Sequence, residues 1–439
     1  MKQILHKRLK STSRLLVAFL FLSCGSKSAI LSTPIENVDL IPLKVTELTN
    51  AEEKEWSHLD FKTDTIPGVS LHKAYKELVK PKSKTITVAV IDSGVDLDHE
   101  DLKDRIWINS DEIPNNGKDD DANGYVDDIN GWNFLGEANN EQLEYVRLVA
   151  SGNTSNPRYL EAKKLLSEEL ESNSRMKRQY EDILAQVTQA DAAIAEYLKK
   201  PVYSKEEVDG IITPNFELIK HVNIIKQSYG FGFDSIEALM KDLNEGLKTF
   251  NKRLDYNLNV DFDGRAIIGD NPDDLNDRDY GNNDVRAKNG RTHGTHVSGI
   301  IAAVRNNAIG INGAANNVKI MAIRNTPSGD EYDKDVALGV YYAVDNGAKV
   351  INMSFGKQFS PHSSWVRDAI AYAAKKDVLI VAAAGNDGEN TDQINYFPND
   401  QINNEDEVSN TFLKVGAIDP RYGSTLVAEY SNYGKNTVD

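Results

Sequence analysis

The chain has 439 residues, with 50 Lys+Arg against 67 Asp+Glu and a formal net charge of −17. Its 40% apolar and 27% charged residues exclude a disordered chain and a multi-pass membrane protein. The acid excess argues against nucleic acid as a partner, because phosphates need a basic surface, and a single cysteine excludes an intrachain disulfide. The length allows one large domain or two.

Lys2, Lys7, Arg8, Lys10 and Arg14 precede an apolar run at residues 15–22. That run has the length of a signal-peptide core and is too short to span a bilayer. Cys24 follows in Phe21-Leu22-Ser23-Cys24-Gly25. Residues 1–24 resemble a bacterial lipoprotein signal, which would make Cys24 a lipid anchor and not a redox group. The mature protein would then be exported and tethered to the cell envelope by acyl chains. An ordinary signal peptide with an incidental cysteine is the alternative.

Residues 25–55 lack periodicity and read as a tether. A helix is expected over residues 71–79, before Pro81. Residues 86–91 form an apolar, β-branched run of the kind found in buried parallel strands. The signal returns at residues 318–323, 350–353 and 378–382, with helical patterns at 293–304, 333–346 and 363–375. This alternation predicts a doubly wound, mostly parallel α/β sheet, with functional residues at the carboxyl ends of strands. Residues 136–257 break the rhythm and turn helical and charge-rich. There Met176, Tyr180, Ile183, Val187, Ala190, Ile194 and Tyr197 make one apolar stripe. Ser204 with Glu207, and Asp234 with Glu237, read as capping boxes. The stretch is a helical insertion that divides the main domain into residues 56–135 and 258–439.

Four pieces of sequence carry chemistry. The strand at 86–91 ends in Asp92-Ser93-Gly94, a carboxylate in partial burial before a sharp exit turn. His293-Gly294-Thr295-His296-Val297 opens a helix of small residues. Its two histidines lack the His-Glu-x-x-His pattern with an internal base, which argues against zinc. Ala383-Ala384-Gly385-Asn386 presents an amide at the sheet's edge, and Ser354-Phe355-Gly356 continues a strand past the sheet.

In this order the four pieces resemble the subtilisin-like serine peptidases, the subtilases, from about Trp56 to the end apart from the insertion. The resemblance implies that Asp92 orients the imidazole and that His293 is general base and then general acid. It implies that Asn386 donates to the oxyanion and that Ser354, Phe355 and Gly356 pair with the substrate backbone. Ala383, Ala384 and Gly385 would wall the specificity pocket, their small size leaving room for a large substrate residue. The family order is Asp, His, Ser, and no Gly-Thr-Ser-Met-Ala-type segment occurs. Gly423-Ser424-Thr425 comes too early, ahead of Ser431-Asn432-Tyr433-Gly434, which precedes the nucleophile in the family. The nucleophile is therefore expected beyond residue 439, with the C-terminal part of the fold missing and the 439-residue chain itself inactive.

Calcium is the expected cofactor. Asp119, Asp121 and Asn123 stand at alternate positions with Gly124 sixth, as in the first half of an EF-hand-type loop, and Tyr125 would offer its carbonyl. Asn130 stands where a bidentate Glu belongs, so Asp127 or Asp128 would have to close the shell. A solvated acidic turn is the alternative, although carboxylates this close repel without a cation between them. By resemblance, the Asn306-Asn307-Ala308-Ile309-Gly310 loop would bind a second ion through Asn307 and Asp101. The aspartate-rich residues 261–279 would hold a further ion or form a solvated loop. Two functions follow: a secreted, lipid-anchored serine endopeptidase acting on proteins or peptides, or a peptide-binding pseudopeptidase that lost the serine. Retention of Asp92, His293 and Asn386 favours the first, since a binder does not need all three.

Overall fold

In the run from Val88 to Ile91, side chains alternate between two faces, and both faces are apolar. Such a strand is stable only with cover on both sides. The computed structural model shows that cover; it describes residues 40–41, 44, 46–79, 83–402, 405–423 and 425–439. Residues 44–439 form one compact unit, and of residues 1–43 only Leu40 and Ile41 are described. Cys24 and the signal-like segment lie outside the described residues.

Six parallel strands, β1 (Ile86–Asp92), β2 (Gly131–Asn133), β3 (Val318–Arg324), β4 (Ala348–Met353), β5 (Leu379–Ala383) and β6 (Phe412–Val415), lie in the order β2-β3-β1-β4-β5-β6. Val88, Val90, Ile320 and Ala322 meet Ala302 of the helix His293–Ala302 on one face. Ala89, Ile91, Met321 and Ile323 meet the helices Asp333–Asp345 and Ser363–Lys375 on the other. The chain leaves β1 toward β3 and returns past it to β4, so the winding reverses beside β1. A crevice opens at the carboxyl ends of the strands where such a reversal occurs. The expected α/β fold is therefore the observed one. β2 and β6, of three and four residues, are too short to give a periodic signal.

The region 136–257 is helical. Its longest element, Tyr159–Leu198, has 40 residues and so runs about 60 Å. Val187, Ala190 and Ile194 pack on Leu218, Val222 and Ile225 of Phe216–Tyr229 and on Ile236, Leu239 and Leu243 of Ile236–Lys252. Ile183 and Tyr197, placed on the same stripe by sequence, are 42% and 47% exposed, because the partner helices cover only part of the stripe's width. The Ser204–Glu207 capping box is present. The one expected at Asp234–Glu237 is not: the helix begins at Ile236, and Ser235 caps it by accepting from the Ala238 amide. Glu237 thus sits one position too early to reach back to the cap. The stretch expected as a tether holds a short helix, Asn50–Glu55, with its own capping box of Thr49 and Glu52. Among the described residues no helix is long and apolar enough to cross a membrane.

Buried charges fasten the helical region to the sheet. Lys357 Nζ lies 2.8 Å from Glu144 and 3.0 Å from Asp333, and Arg147 pairs with Glu144 at 2.5 Å. Burial alone would raise the Glu144 carboxyl, but the two cations outweigh it and hold it at about 2. Within the aspartate-rich stretch, Asp270 pairs with Arg265 and Lys334, and Arg265 pairs with Asp335. These four side chains are at most 5% exposed, so Arg265 and Asp270 anchor the stretch in a buried ion-pair network, while Asp261, Asp263, Asp273, Asp274 and Asp279 are exposed. Removing one partner of a buried pair strands the other charge. Lys357→Met is expected to cost about 3–5 kcal/mol in urea unfolding; a loss under about 1 kcal/mol would contradict this bracing.

Candidate active site

β1 ends on Asp92, whose side chain is 2% exposed. The helix His293–Ala302 starts beside it, and His293 Nδ1 lies 2.9 Å from both Asp92 carboxylate oxygens. A Cβ on Gly294 would sit 2.3 Å from the Gly94 carbonyl and 3.2 Å from Asp92 Oδ1. Only glycine lets the helix start come this close. The Asp92 carbonyl accepts from the Asn325 and Thr326 amides at 3.0 and 3.2 Å, which ties the end of β1 to the end of β3. The His293 side chain is 58% exposed, and its second nitrogen, Nε2, has no hydrogen-bond partner among the described residues.

Hydrogen bonding to Asp92 raises the His293 pKa above 6.5; burial and the Arg291 guanidinium pull the other way, and the carboxylate's charge adds to the rise. A neutral imidazole held through Nδ1–H to a carboxylate exposes a basic nitrogen, the requirement of a general base.

Asn386 follows β5 and is exposed. Its loop is gripped by Asn432, which is 1% exposed. Asn432 Nδ2 donates to the Ala384 carbonyl at 3.0 Å, its Oδ1 accepts from the Asp387 and Glu389 amides at 3.0 and 2.9 Å, and its amide donates to Gly385 at 2.9 Å. Sequence reasoning used Asn432 only as a landmark. The signal within it was an amide able to donate and accept at once. Arg291 was also missed; it stands two residues before His293, and its field reaches both His293 and Asp92. Ser354, Phe355 and Gly356 leave β4 together. Ser354 Oγ accepts from Asn352 Nδ2 at 2.9 Å, and Phe355 is 9% exposed. Ala383 ends β5, and Ala384 and Gly385 follow it.

In the acidic loop, one oxygen each of Glu112, Asp119 and Asp121 lies within 4.8 Å of the others. Glu112 is 5% exposed, and its Oε2 has no hydrogen-bond partner. A buried unpaired carboxylate oxygen beside two more carboxylates fits a hard cation. Glu112 is a carboxylate that the spacing of the loop did not single out. Asp128 accepts from Tyr342, Asn109 and Asn123 at 2.6, 2.8 and 3.0 Å, and burial raises its pKa to about 6. Asp127 accepts from the Asn116 and Gly117 amides. Asn123 Oδ1 accepts from the Tyr125 amide. The second pair is also brought together, with Asn307 Nδ2 donating to Asp101 Oδ1 at 2.6 Å, while Asn307 Oδ1 accepts from the Ile309 amide.

The model of the subtilase family, Peptidase_S8, matches residues 83–439. The chain belongs to the subtilase family. It is 38% identical over 182 residues to the thermophilic serine proteinase of Bacillus sp. (strain AK1), across 41% of this chain and 39% of that protein. It is 45% identical over 111 residues to thermitase from Thermoactinomyces vulgaris, across 25% of this chain and 39% of that one. The chain thus spans about two fifths of the length of these relatives. Among solved structures, an epidermin leader peptide processing serine protease from Staphylococcus aureus is 25% identical over 39% of this chain and 45% of that one, with a TM-score of 0.30.

In this subtilase, Asp92→Asn is expected to move the His293 titration from above 6.5 to below it, read by NMR. An unmoved midpoint would contradict the coupling. Asn432→Ala leaves the Asp387 and Glu389 amides and the Ala384 carbonyl without the partners given above. It is expected to cost about 2–4 kcal/mol of stability, measured by chemical denaturation.

Proposed function

We propose that this subtilase is an exported serine endopeptidase, lipid-anchored through Cys24, that acts on proteins or peptides at the cell envelope. The observation that carries this reading is the 2.9 Å contact between His293 Nδ1 and both oxygens of a buried aspartate, with the rest of the imidazole open. The attacking hydroxyl is that of a serine. His293 Nε2 takes its proton as the oxygen attacks the scissile carbonyl carbon. Asp92 holds the ring and stabilises the imidazolium. Asn386 Nδ2 donates to the oxyanion of the tetrahedral intermediate. The proton on Nε2 then passes to the leaving amine, and a water molecule, activated by the same nitrogen, releases the acyl group. Residues 354–356 pair with the substrate backbone as an added strand.

Asn386→Ala in the full product of the gene is expected to lower kcat by roughly 10²–10³, about 2.7–4 kcal/mol, with little change in KM; subtilisin is the reference case for this magnitude. A raised KM at unchanged kcat would remove the oxyanion role. Because the base must be neutral, kcat/KM is expected to rise with pH through the His293 titration above 6.5.

Calcium is assigned to the acidic loop, with Glu112, Asp119 and Asp121 as carboxylate ligands and its role structural. A ligand that binds only the folded state stabilises it by about 2.7 kcal/mol at one hundred times its Kd. Glu112→Gln is expected to weaken calcium binding by about tenfold or more in calorimetric titration, since charge count sets affinity at such sites. An unchanged isotherm would return the loop to an acidic turn.

A further inference from the structure

The two candidate substrate walls, residues 354–356 and 383–385, end on Gly356 and Gly385. A Cβ on Gly356 would lie 2.4 Å from Tyr396 Cε1, and one on Gly385 would lie 2.6 Å from Tyr396 Cζ. The same edge of one phenol ring therefore packs against both backbones. The small wall residues were expected to leave room for a large substrate side chain, and the Tyr396 ring lies against both Gly356 and Gly385 where that room was expected. Both glycines are small to admit this ring.

The ring is held where it is. Tyr396 is 9% exposed. Its carbonyl accepts from Lys414 Nζ at 2.6 Å and from Asn399 Nδ2 at 3.3 Å. Lys414 is 3% exposed and Asn399 8% exposed. The next residue, Phe397, exchanges two backbone hydrogen bonds with Lys357, the residue after Gly356, at 2.9 and 2.8 Å. Tyr396 is thus joined through adjacent backbone to the wall that it packs against, and swinging the ring out would carry buried aromatic surface into water.

We propose that Tyr396 is a specificity-determining residue that closes the pocket between Gly356 and Gly385 to large side chains, so that the cleaved bond follows a small residue such as Gly, Ala or Ser. The assignment rests on the endopeptidase reading above and names its substrate class. A phenyl group on the substrate would need the volume that this phenyl group already holds, and close-packed walls do not yield that much space.

The test uses the full product of the gene and fluorogenic peptides that differ only in the residue before the scissile bond. Wild type is expected to cleave after Ala with a kcat/KM at least tenfold above that after Phe. Tyr396→Gly reverses the ratio, and Tyr396→Phe keeps the preference for Ala, because the ring and not the hydroxyl fills the space. The wild-type cleavage profile on a denatured protein mixture, read by mass spectrometry, needs no variant and should show small residues before the cut. A wild type that cuts after Phe or Leu, or a Tyr396→Gly protein with the wild-type ratio, overturns the assignment and leaves the endopeptidase reading standing. A protein that cleaves none of these substrates overturns that reading and this assignment with it.

Discussion

The contact between Asp92 and His293 joins residues 201 positions apart, and most of the architecture serves to make it. It requires β1 to lie inside the sheet, between β3 and β4, so that its end faces the crevice where the winding reverses. It requires the next helix on that face to begin level with the strand end, and Gly294 to carry no side chain between them. Asp92 and Arg324 stand side by side in register at the ends of β1 and β3. Arg324 is fully buried and donates to Asn133, Gly136, Ala138 and Asn139. The strand end that carries the carboxylate is therefore built into the same hydrogen-bonded shelf from which the helical region departs.

Buried charges help bind the helical region to the crevice. Arg147 donates to the carbonyls of Gln142, Asp330 and Glu331, and Lys357 bridges Glu144 and Asp333 immediately after Gly356. Charges taken out of water are tolerated only when paired, so these side chains fix the geometry of one wall of the crevice. The apolar core of the helical region, around Val187, Ile194 and Ile225, is a separate cluster from those of the sheet. Two kinds of stabilisation thus divide the work: hydrophobic burial forms each body, and buried ion pairs register one upon the other.

The sheet was legible because a strand covered on both faces must be apolar throughout, and residues 86–91, 318–323, 350–353 and 378–382 are. Asp92 and His293 could be read as a pair because local motifs surround each of them, and the structure brings them together. What escaped reading depends on contacts distant in sequence. Glu112 lies outside the alternating acidic pattern and reaches its neighbours only through the fold of the loop. Asn432 grips a loop more than forty positions away. Tyr396 has no motif around it, and nothing local says that its ring enters the space between two glycines. The misplaced cap at Asp234 shows the limit of local pattern as well: a serine one residue later offered an equal cap, and the choice between them fell to where Ile236 had to pack.

Asp92 and His293 meet at the crevice as the proposed orienting carboxylate and general base of a serine peptidase. The most direct measurement is to treat the full product of the gene with a peptidyl phosphonate, digest it and locate the adduct by mass spectrometry. One adduct is expected, on a serine, and it is lost when His293 is replaced by Ala. The absence of any adduct, or an adduct that forms equally when His293 is replaced by Ala, would contradict the proposed pairing of Asp92 and His293 with a serine nucleophile.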